Sequence, residues 1–504
     1  MLTPRERSRP SSFFGCLFFA CLLLSGIASS TPSITLSRKS GPPTSQILVS
    51  GSGFEANVGV DIYFGTKDEA LVVTNGKGEF HEARIHAPRS SFPGKHWITA
   101  LERNNDKGAQ EPFLVQTDWS QFRFSPEHEG VNPFENVLNL HTASDLQLKW
   151  SYYTGRFVYS SPAVADGVVY IPSENATLYA LKASTGALVW SYTTGAFVFS
   201  SPAVVSGVVY VGSEDHNVYA LNAKNGALLW KYPTGDRIES SPAVTDGVVY
   251  IGSLDGYLYA LKASNGALLW AYNAGGVDGS PAVVNGVVYI PSLDFNLYAL
   301  NARNGAFLWE YTTGEAVLSS PVVANGVVYV GSLDNNEYAL NASTGALLWS
   351  YTAGNWVYDS AVANGVVYVG SFDHNLYALD AGTGALLWSY TTGDRVQSSP
   401  AVANGVVYVG SFDDNVYALD AKTGAKLWNY TTGDWVVSSP TVANGVVYVG
   451  SVDGNVYAFG LSHDASQGEE DSKRPDPRTL RPNFRLKLGG NTREDPGSET
   501  SEDE

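Results

Sequence analysis

Seven aspartates recur along this chain at nearly constant spacing: Asp215, Asp255, Asp294, Asp334, Asp373, Asp413 and Asp453. Carboxylates in such numbers could ligate a divalent cation or share protons as acid and base. Two histidines, His216 and His374, adjoin two of them and would widen a ligand set. The pattern argues against that chemistry. The aspartates occur once per repeat and resemble capping or Asx-turn residues more than ligands. Asp413-Asp414-Asn415 is too short for a calcium loop of the EF-hand type. His216 and His374 occupy matching places four repeats apart, on opposite sides of an eight-fold ring. No Gly-x-Ser-x-Gly nucleophile motif and no phosphate loop occur.

A second set of residues suits recognition. After the glycine that ends each repeat the chain reads Arg156-Phe157, Ala196-Phe197, Asp236-Arg237, Glu315-Ala316, Asn355-Trp356, Asp394-Arg395 and Asp434-Trp435. One repeat is shortened there to Gly276-Val277-Asp278, and another lacks its proline and reads Asp359-Ser360-Ala361. Tyr159, Phe199, Glu239, Tyr358 and Gln397 follow two residues on. Aromatic residues and Arg are typical interface anchors, and aromatics beside carboxylates also suit sugars or peptide segments. Positions that vary while the scaffold stays constant are free of folding duty. The candidate partner-binding face is therefore Arg156, Phe157, Phe197, Asp236, Arg237, Asn355, Trp356, Asp394, Arg395, Asp434 and Trp435.

The elements that position these residues are four short strands per repeat. Marker tryptophans fall at Trp150, Trp190, Trp230, Trp270, Trp309, Trp349, Trp388 and Trp428, always 39 or 40 residues apart. A period of this length marks a repeat architecture. Each copy holds Pro-Ala-Val-Ala, an Asn-Gly or Asp-Gly hairpin turn, Val-Val-Tyr-Val-Gly-Ser, Leu-Tyr-Ala-Leu, a Thr-Gly or Asn-Gly turn, and Ala-Leu-Leu-Trp-Ser-Tyr. Four antiparallel strands in about forty residues describe a propeller blade, which must stack on neighbours to bury its faces. The tryptophans then serve blade-to-blade packing. The last copy stops at Val456-Tyr457-Ala458-Phe459 without a closing tryptophan, while Leu146-Gln147-Leu148-Lys149-Trp150-Ser151-Tyr152 precedes the first. That orphan strand is expected to complete the eighth blade and leave no exposed sheet edge. The first hairpin and the turn between strands three and four share one face. The loop between strands two and three and the crossover to the next blade share the other.

The repeats resemble those of the pyrroloquinoline-quinone (PQQ) propeller family. Its docking pattern, Ala-x-Asp-x-x-Thr-Gly-x-x-x-Trp, is matched in full by Ala378, Asp380, Thr383, Gly384 and Trp388, and again by Ala418, Asp420, Thr423, Gly424 and Trp428. Elsewhere Lys182, Asn222, Lys262, Asn301 or Asn341 replaces the Asp. The resemblance implies one of two functions: a quinoprotein dehydrogenase of alcohols or sugars, using PQQ and calcium, or a non-catalytic scaffold similar to BamB. The alcohol-dehydrogenase branch carries a vicinal cysteine pair against its cofactor. Here the only cysteines are Cys16 and Cys21. The enzymes also build their site from blade-specific insertions, and these repeats are nearly uniform.

The remaining segments bound the setting. Residues 1–30 read as a signal peptide, with Arg5, Arg7 and Arg9 before the apolar run Phe13 to Leu24 and small residues at Gly26-Ile27-Ala28. Residues 33–117 alternate as strands do, and Gly51-Ser52-Gly53-Phe54 with Lys39-Ser40-Gly41-Pro42 resembles the immunoglobulin-like IPT/TIG domains. Residues 463–504 read as a disordered charged tail. The whole chain carries a formal charge of −18, and residues 119–462 hold only 12 Lys and Arg. That balance disfavours nucleic acid and anionic lipid.

The sequence thus predicts an all-β chain: a signal peptide, an Ig-like β-sandwich over 33–117, an eight-bladed β-propeller over 119–462, and the tail. It is expected to be a secreted, periplasmic or cell-surface monomer. It binds a peptide, protein segment or glycan, without cofactor, metal or catalytic residue. The alternative is the quinoprotein dehydrogenase with PQQ and calcium.

Overall fold

The computed structural model describes residues 31–105, 107–462, 474–476 and 479–480. The expected signal peptide and most of the expected tail lie outside these described residues. The described chain is all-β apart from short 3-10 turns such as Ala143–Asp145.

The repeats fold as antiparallel β-sheets of a β-propeller, and eight sheets among the described residues carry them. In one of these the repeat supplies Ala401–Ala403, Val406–Gly410, Asn415–Asp420 and Lys426–Thr431, and the short Val131–Asn132 adds a parallel fifth strand at the inner edge. The hairpin between the first two turns on Asn404 and Gly405, both at positive φ (45° and 83°), the conformation two-residue hairpins favour. The second strand is buried along its whole length, because both its faces meet other sheets. The outer strand alternates towards solvent.

The tryptophans link one sheet to the next. Trp150 Nε1–H donates to the Ala183 carbonyl (2.8 Å), Trp230 to Ala263 (2.9 Å), Trp309 to Ala342 (3.0 Å) and Trp388 to Ala421 (3.1 Å). The glycine of the receiving turn must be glycine: Gly345 has φ +71°, and a Cβ there would lie 2.6 Å from the Trp309 ring. Trp428 departs from the pattern. The final sheet has no turn of its own between strands three and four, and Trp428 packs edge-on against Phe459 at 5.1 Å instead.

Leu146–Tyr153 pairs antiparallel with Asn455–Leu461 and supplies the fourth strand of the final sheet. Near the axis a second circuit closes. Ser161 N–H donates to Ser201 Oγ, Ser201 to Ser241, Ser241 to Ser280, and Ser280 to Ser320, all at 2.9–3.1 Å. Ser320 N–H then reaches Asp359 (2.6 Å), whose other oxygen accepts from Ser399 Oγ (2.7 Å). Ser399 and Ser439 return the chain of bonds to Ser161.

The expectation of no exposed edge is corrected. Joining the chain ends completes the last sheet, but every fourth strand still has a partner on one side only. Leu386 and Leu387 on one such strand are about half exposed, at 49% and 52%. These edges are short, as radial repetition requires.

A segment unlike any repeat fills the axis. Residues 119–132 run past the innermost strand of each sheet in order. The carbonyls of Trp119, Ser120, Pro126, Glu127, Glu129 and Gly130 accept from the amides of Val164, Val204, Val283, Val323, Val362 and Val402 at 2.7–3.0 Å. Gln121 accepts from Val244 N–H through its side chain (2.9 Å), and Asn132 donates to the Val442 carbonyl (2.8 Å). Gly130 is required by geometry: its φ is +69°, and a Cβ would meet Ala361 at 2.8 Å. This strap seals one end of the central channel.

Residues before the strap form two further sheets, one of three strands and one of five, packed on a shared core that includes Ile47, Val60, Ile62, Ile85, Ile98 and Phe113. Part of the segment expected to be a disordered tail docks here. Arg474 Nε donates to Gln110 (2.5 Å) with its guanidinium 5.4 Å from the Trp97 ring, and Leu480 is buried with Tyr63 and Leu101.

Truncating one docking tryptophan removes its apolar area and its hydrogen bond together. Trp309→Ala is expected to lower stability by about 3–5 kcal/mol, read from equilibrium urea unfolding.

Candidate binding face

The recurrent aspartates hold backbone. Asp215 Oδ1 accepts from Asn217 N–H (3.1 Å), an Asx turn. Its Oδ2 accepts from Gly195 N–H and from the Tyr219 hydroxyl, both at 2.6 Å. Gly195 lies in the crossover arriving from the previous repeat, so the carboxylate ties crossover to loop. Burial alone would raise the Asp215 pKa, but the bonds from Tyr219, Gly195 and Asn217 bring it below the ordinary value. Gly235, Gly314, Gly354, Gly393 and Gly433 make the same bond to Asp255, Asp334, Asp373, Asp413 and Asp453. Asp294 keeps its tyrosine partner, Tyr298, while Gly275 of the shortened crossover bonds Asn273 instead. In the first repeat Asn175 takes the place and donates to the Thr154 carbonyl.

The variable crossover residues stand on this same face. Asp236, Asn355, Asp394 and Asp434 each accept the N–H of the following residue at 2.8 Å, which presents Arg237, Trp356, Arg395 and Trp435 outward. His216 and His374 face Asp236 and Asp394 at 3.9 and 3.7 Å. The structure then adds two residues the sequence reasoning missed, Phe372 and Phe412. Tyr358 stacks on Phe372 at 4.6 Å, with Trp356 at 5.6 Å. Phe372 meets Phe412 at 6.0 Å, and Phe412 meets Trp435 at 4.8 Å. The Arg395 guanidinium lies over both phenylalanines at 5.3 and 5.7 Å. A second group joins Arg156 over Phe157, Phe157 to Tyr159, Tyr159 to Phe199, and Phe197 to Phe199. Aromatics thus populate five consecutive repeats. Trp356, Trp435, Phe157 and Phe197 remain 39–44% exposed. Phe372 and Phe412 were legible as the variable position between the Ser at the end of strand two and the Asp or Asn beyond it, which reads Glu174, Glu214, Leu254, Leu293, Leu333, Phe372, Phe412 and Val452.

Inside this rim a cavity of about 410 Å3 opens on the axis. Each repeat contributes one wall residue: Tyr159, Phe199, Glu239 and Asp278, then Leu318, Tyr358, Gln397 and Val437. Below them lie serines of the axial circuit and Asp359, and Phe122 of the strap reaches the bottom. Burial, with Asp278 alongside, pushes the Glu239 carboxyl up to about 7. Burial also raises Asp278, which Arg237 partly offsets.

Beneath the cavity sits a buried charged group. Arg123 donates to the Ser320 carbonyl (2.8 Å) and lies 3.8 Å from Asp359. Glu337 is fully buried where other repeats carry Leu297, Leu376 or Val416, and accepts from Ser360 Oγ (2.9 Å). Burial pushes its carboxyl up to about 8.

The repeats match the PQQ_2 family, described as outer membrane protein assembly factor BamB, over residues 145–276, 214–322, 255–392 and 373–471. The chain belongs to this family. No individual curated protein matches the chain significantly in sequence. Among solved structures, BamB from Moraxella catarrhalis is similar with a TM-score of 0.56 and 19% identity, covering 63% of this chain and 100% of its own. Quinohemoprotein alcohol dehydrogenase from Comamonas testosteroni is similar at 0.61 and 18%, covering 69% and 81%. The computationally designed Ika8 protein is similar at 0.57 and 18%, covering 62% and 100%. These likenesses show the propeller fold.

Both BamB and quinoprotein dehydrogenases thus share this architecture, so the residues decide whether a quinone fits. PQQ is a tricarboxylate. The axial cavity is walled by Glu239, Asp278 and Asp359, with no Lys or Arg among its lining residues. Among the described residues no group of three or more His, Cys, Asp or Glu side chains is placed to hold a metal ion. Acidic walls without a cationic side chain do not match a tricarboxylate quinone.

Glu337 generates a pH prediction. Its folded pKa stands above its unfolded one, so the folded state holds the extra proton and stability falls as pH rises between about 4.5 and about 8. Glu337→Gln keeps an acceptor for Ser360 and removes that proton. The variant is expected to lose less stability than the parent between these limits, measured by melting temperature across pH.

Proposed function

We propose that this chain is an exported, non-catalytic binding scaffold: an eight-bladed propeller, preceded by an Ig-like sandwich, that holds an extended protein segment on its crossover face. One observation carries the reading. The aromatic and Arg side chains that the fold does not need converge there into a connected belt from Trp356 through Phe372, Arg395 and Phe412 to Trp435. Such side chains give large contact area at modest entropic cost and dominate binding energy where they cluster. The basic start and apolar run of residues 1–30 support export. The acidic balance of the repeats supports a protein partner over nucleic acid. The carboxylate-walled cavity supports a non-catalytic role over a quinone enzyme.

Selection from a library of displayed random peptides tests the reading. Binders are expected, and replacing Trp356, Arg395 and Trp435 together with Ala should cost about 3 kcal/mol or more of affinity while leaving the melting temperature unchanged. Peptide binding that survives the triple change places the site elsewhere. Adding PQQ and calcium should yield no bound chromophore. A bound chromophore with alcohol-dependent dye reduction overturns the scaffold reading.

A further inference from the structure

The axial cavity differs from the rim in chemistry. The sixteen places nearest the axis come in two layers, and each repeat supplies one residue to each. In the lower layer Ser161, Ser201, Ser241, Ser280, Ser399 and their like are interchangeable, and a single repeat substitutes Asp359. In the upper layer Glu239 and Asp278 stand side by side from consecutive repeats. The two repeats that lose a residue near the axis are the two that deliver Asp278 and Asp359. Internal repetition acts as the control: the fold tolerates aromatic, amide and apolar residues at the upper places, so Glu239 and Asp278 answer to something other than folding.

Their partners are incomplete. Asp278 is buried at a cost to its charge that the nearby Arg237 offsets only in part. Glu239 has only Arg237, at 3.8 Å, and that guanidinium is shared with Glu214 at 3.5 Å on the outer rim. Asp359 is occupied on both oxygens by Ser320 and Ser399, with Arg123 below. Aromatic rings flank Glu239 and Asp278 around the cavity wall, Phe199 in the repeat before Glu239, Tyr159 one repeat further and Tyr358 two repeats past Asp278, and the Tyr358 hydroxyl is raised to about 12 by burial and then by Asp278 and Asp359. A partly dry cavity with two incompletely compensated carboxylates flanked by aromatic rings suits a cation that also has apolar surface. A hydrated metal ion lacks that surface, and an anion is repelled.

We propose that the axial cavity binds an alkylammonium or alkylguanidinium group, seated between Glu239 and Asp278 and the rings of Tyr159, Phe199 and Tyr358. The group is either a free organic amine or a Lys or Arg side chain of the segment held on the rim. The second source rests on the binding-face reading given above. The cavity volume accommodates either, and Phe122 stops the group from passing through the ring.

Calorimetric titration of the full chain tests this with two probes, butylguanidinium and a capped Gly-Gly-Arg-Gly-Gly peptide, with the Gln-centred peptide as control. Butylguanidinium is expected to bind and the Gln peptide not. Glu239→Gln with Asp278→Asn, near-isosteric changes whose folding is checked by melting temperature, should weaken the cation at least about tenfold. Glu239 titrates near neutrality beside Asp278, Arg237 and Glu214, so affinity should also fall on acidification below its pKa. Binding of butylguanidinium and the Arg peptide alike assigns the cavity to a protein side chain. Binding of the small cation alone supports the site and assigns it to free amines. The triple rim variant should retain butylguanidinium, so loss of rim peptides alone leaves this inference standing and loss of the cation alone leaves the rim standing. No cation binding to the parent chain, equal binding by the double variant, or equal binding of the Gln peptide overturns the proposal.

Discussion

The backbone hydrogen bonds around the axis are the constraint on which the molecule depends. The innermost strand of each sheet is three residues long in nearly every repeat and has no further strand of the repeats on its inner side; only Ala401–Ala403 gains one, from Val131–Asn132 of the strap. Its inward N–H would otherwise be an unpaired donor withdrawn from water, at a cost of about 1–3 kcal/mol each. The strap answers this with one acceptor for each of seven repeats, from Trp119 to Gly130, in the order of the repeats, and at the eighth Asn132 donates to the Val442 carbonyl instead. Its irregular backbone follows from that task. Arg123, Phe124 and His128 adopt positive φ, as a short segment must if it is to serve strands arranged radially around it.

Filling one end of the channel leaves the two faces unequal. On the strap side the inner strands are covered. On the crossover side the cavity stays open above Phe122, and the loops around it carry the variation. The conserved parts of those loops are already engaged: the aspartates clamp crossover glycines and tyrosine hydroxyls, and the serines pass hydrogen bonds from sheet to sheet. What the constant framework does not engage is the belt of aromatics and Arg, and the carboxylates Glu239 and Asp278, which only Arg237 compensates. The buried group of Arg123, Glu337 and Asp359 joins the two halves. It places a charge from the strap under the one repeat that breaks the serine circuit, a device that fixes register at some expense of stability.

Much of this was legible in residue order because repetition supplies its own internal comparison. The tryptophan period marked the sheets, the strand at Trp150 found its partner at Ala458, and the recurring aspartates were recognisable as turn residues. The strap was not legible. It occurs once, has no hydrophobic period, and its function is to present carbonyls, which sequence does not display. Phe372 and Phe412 were overlooked because the neighbouring aspartates and histidines of the same loop drew the reading to metal and turn chemistry. Their grouping with Trp356 and Trp435 depends on the crossover of one repeat lying beside the loop of the next. The pairing of Arg123 with Asp359 spans 236 positions and needs the folded ring. The outer strand edges were misjudged because closing a ring joins its ends and does nothing for its circumference.

Native-state hydrogen exchange is the most direct measurement of the sealed ring. The amides of Val164, Val204, Val244, Val283, Val323, Val362 and Val402 each donate to the strap. They are expected to be among the slowest in the chain and to exchange at one common rate, since the strap can release them only when the ring opens as a whole. Rapid exchange at these seven positions, or a graded series that begins at one repeat and spreads to the others, contradicts a ring closed around its strap.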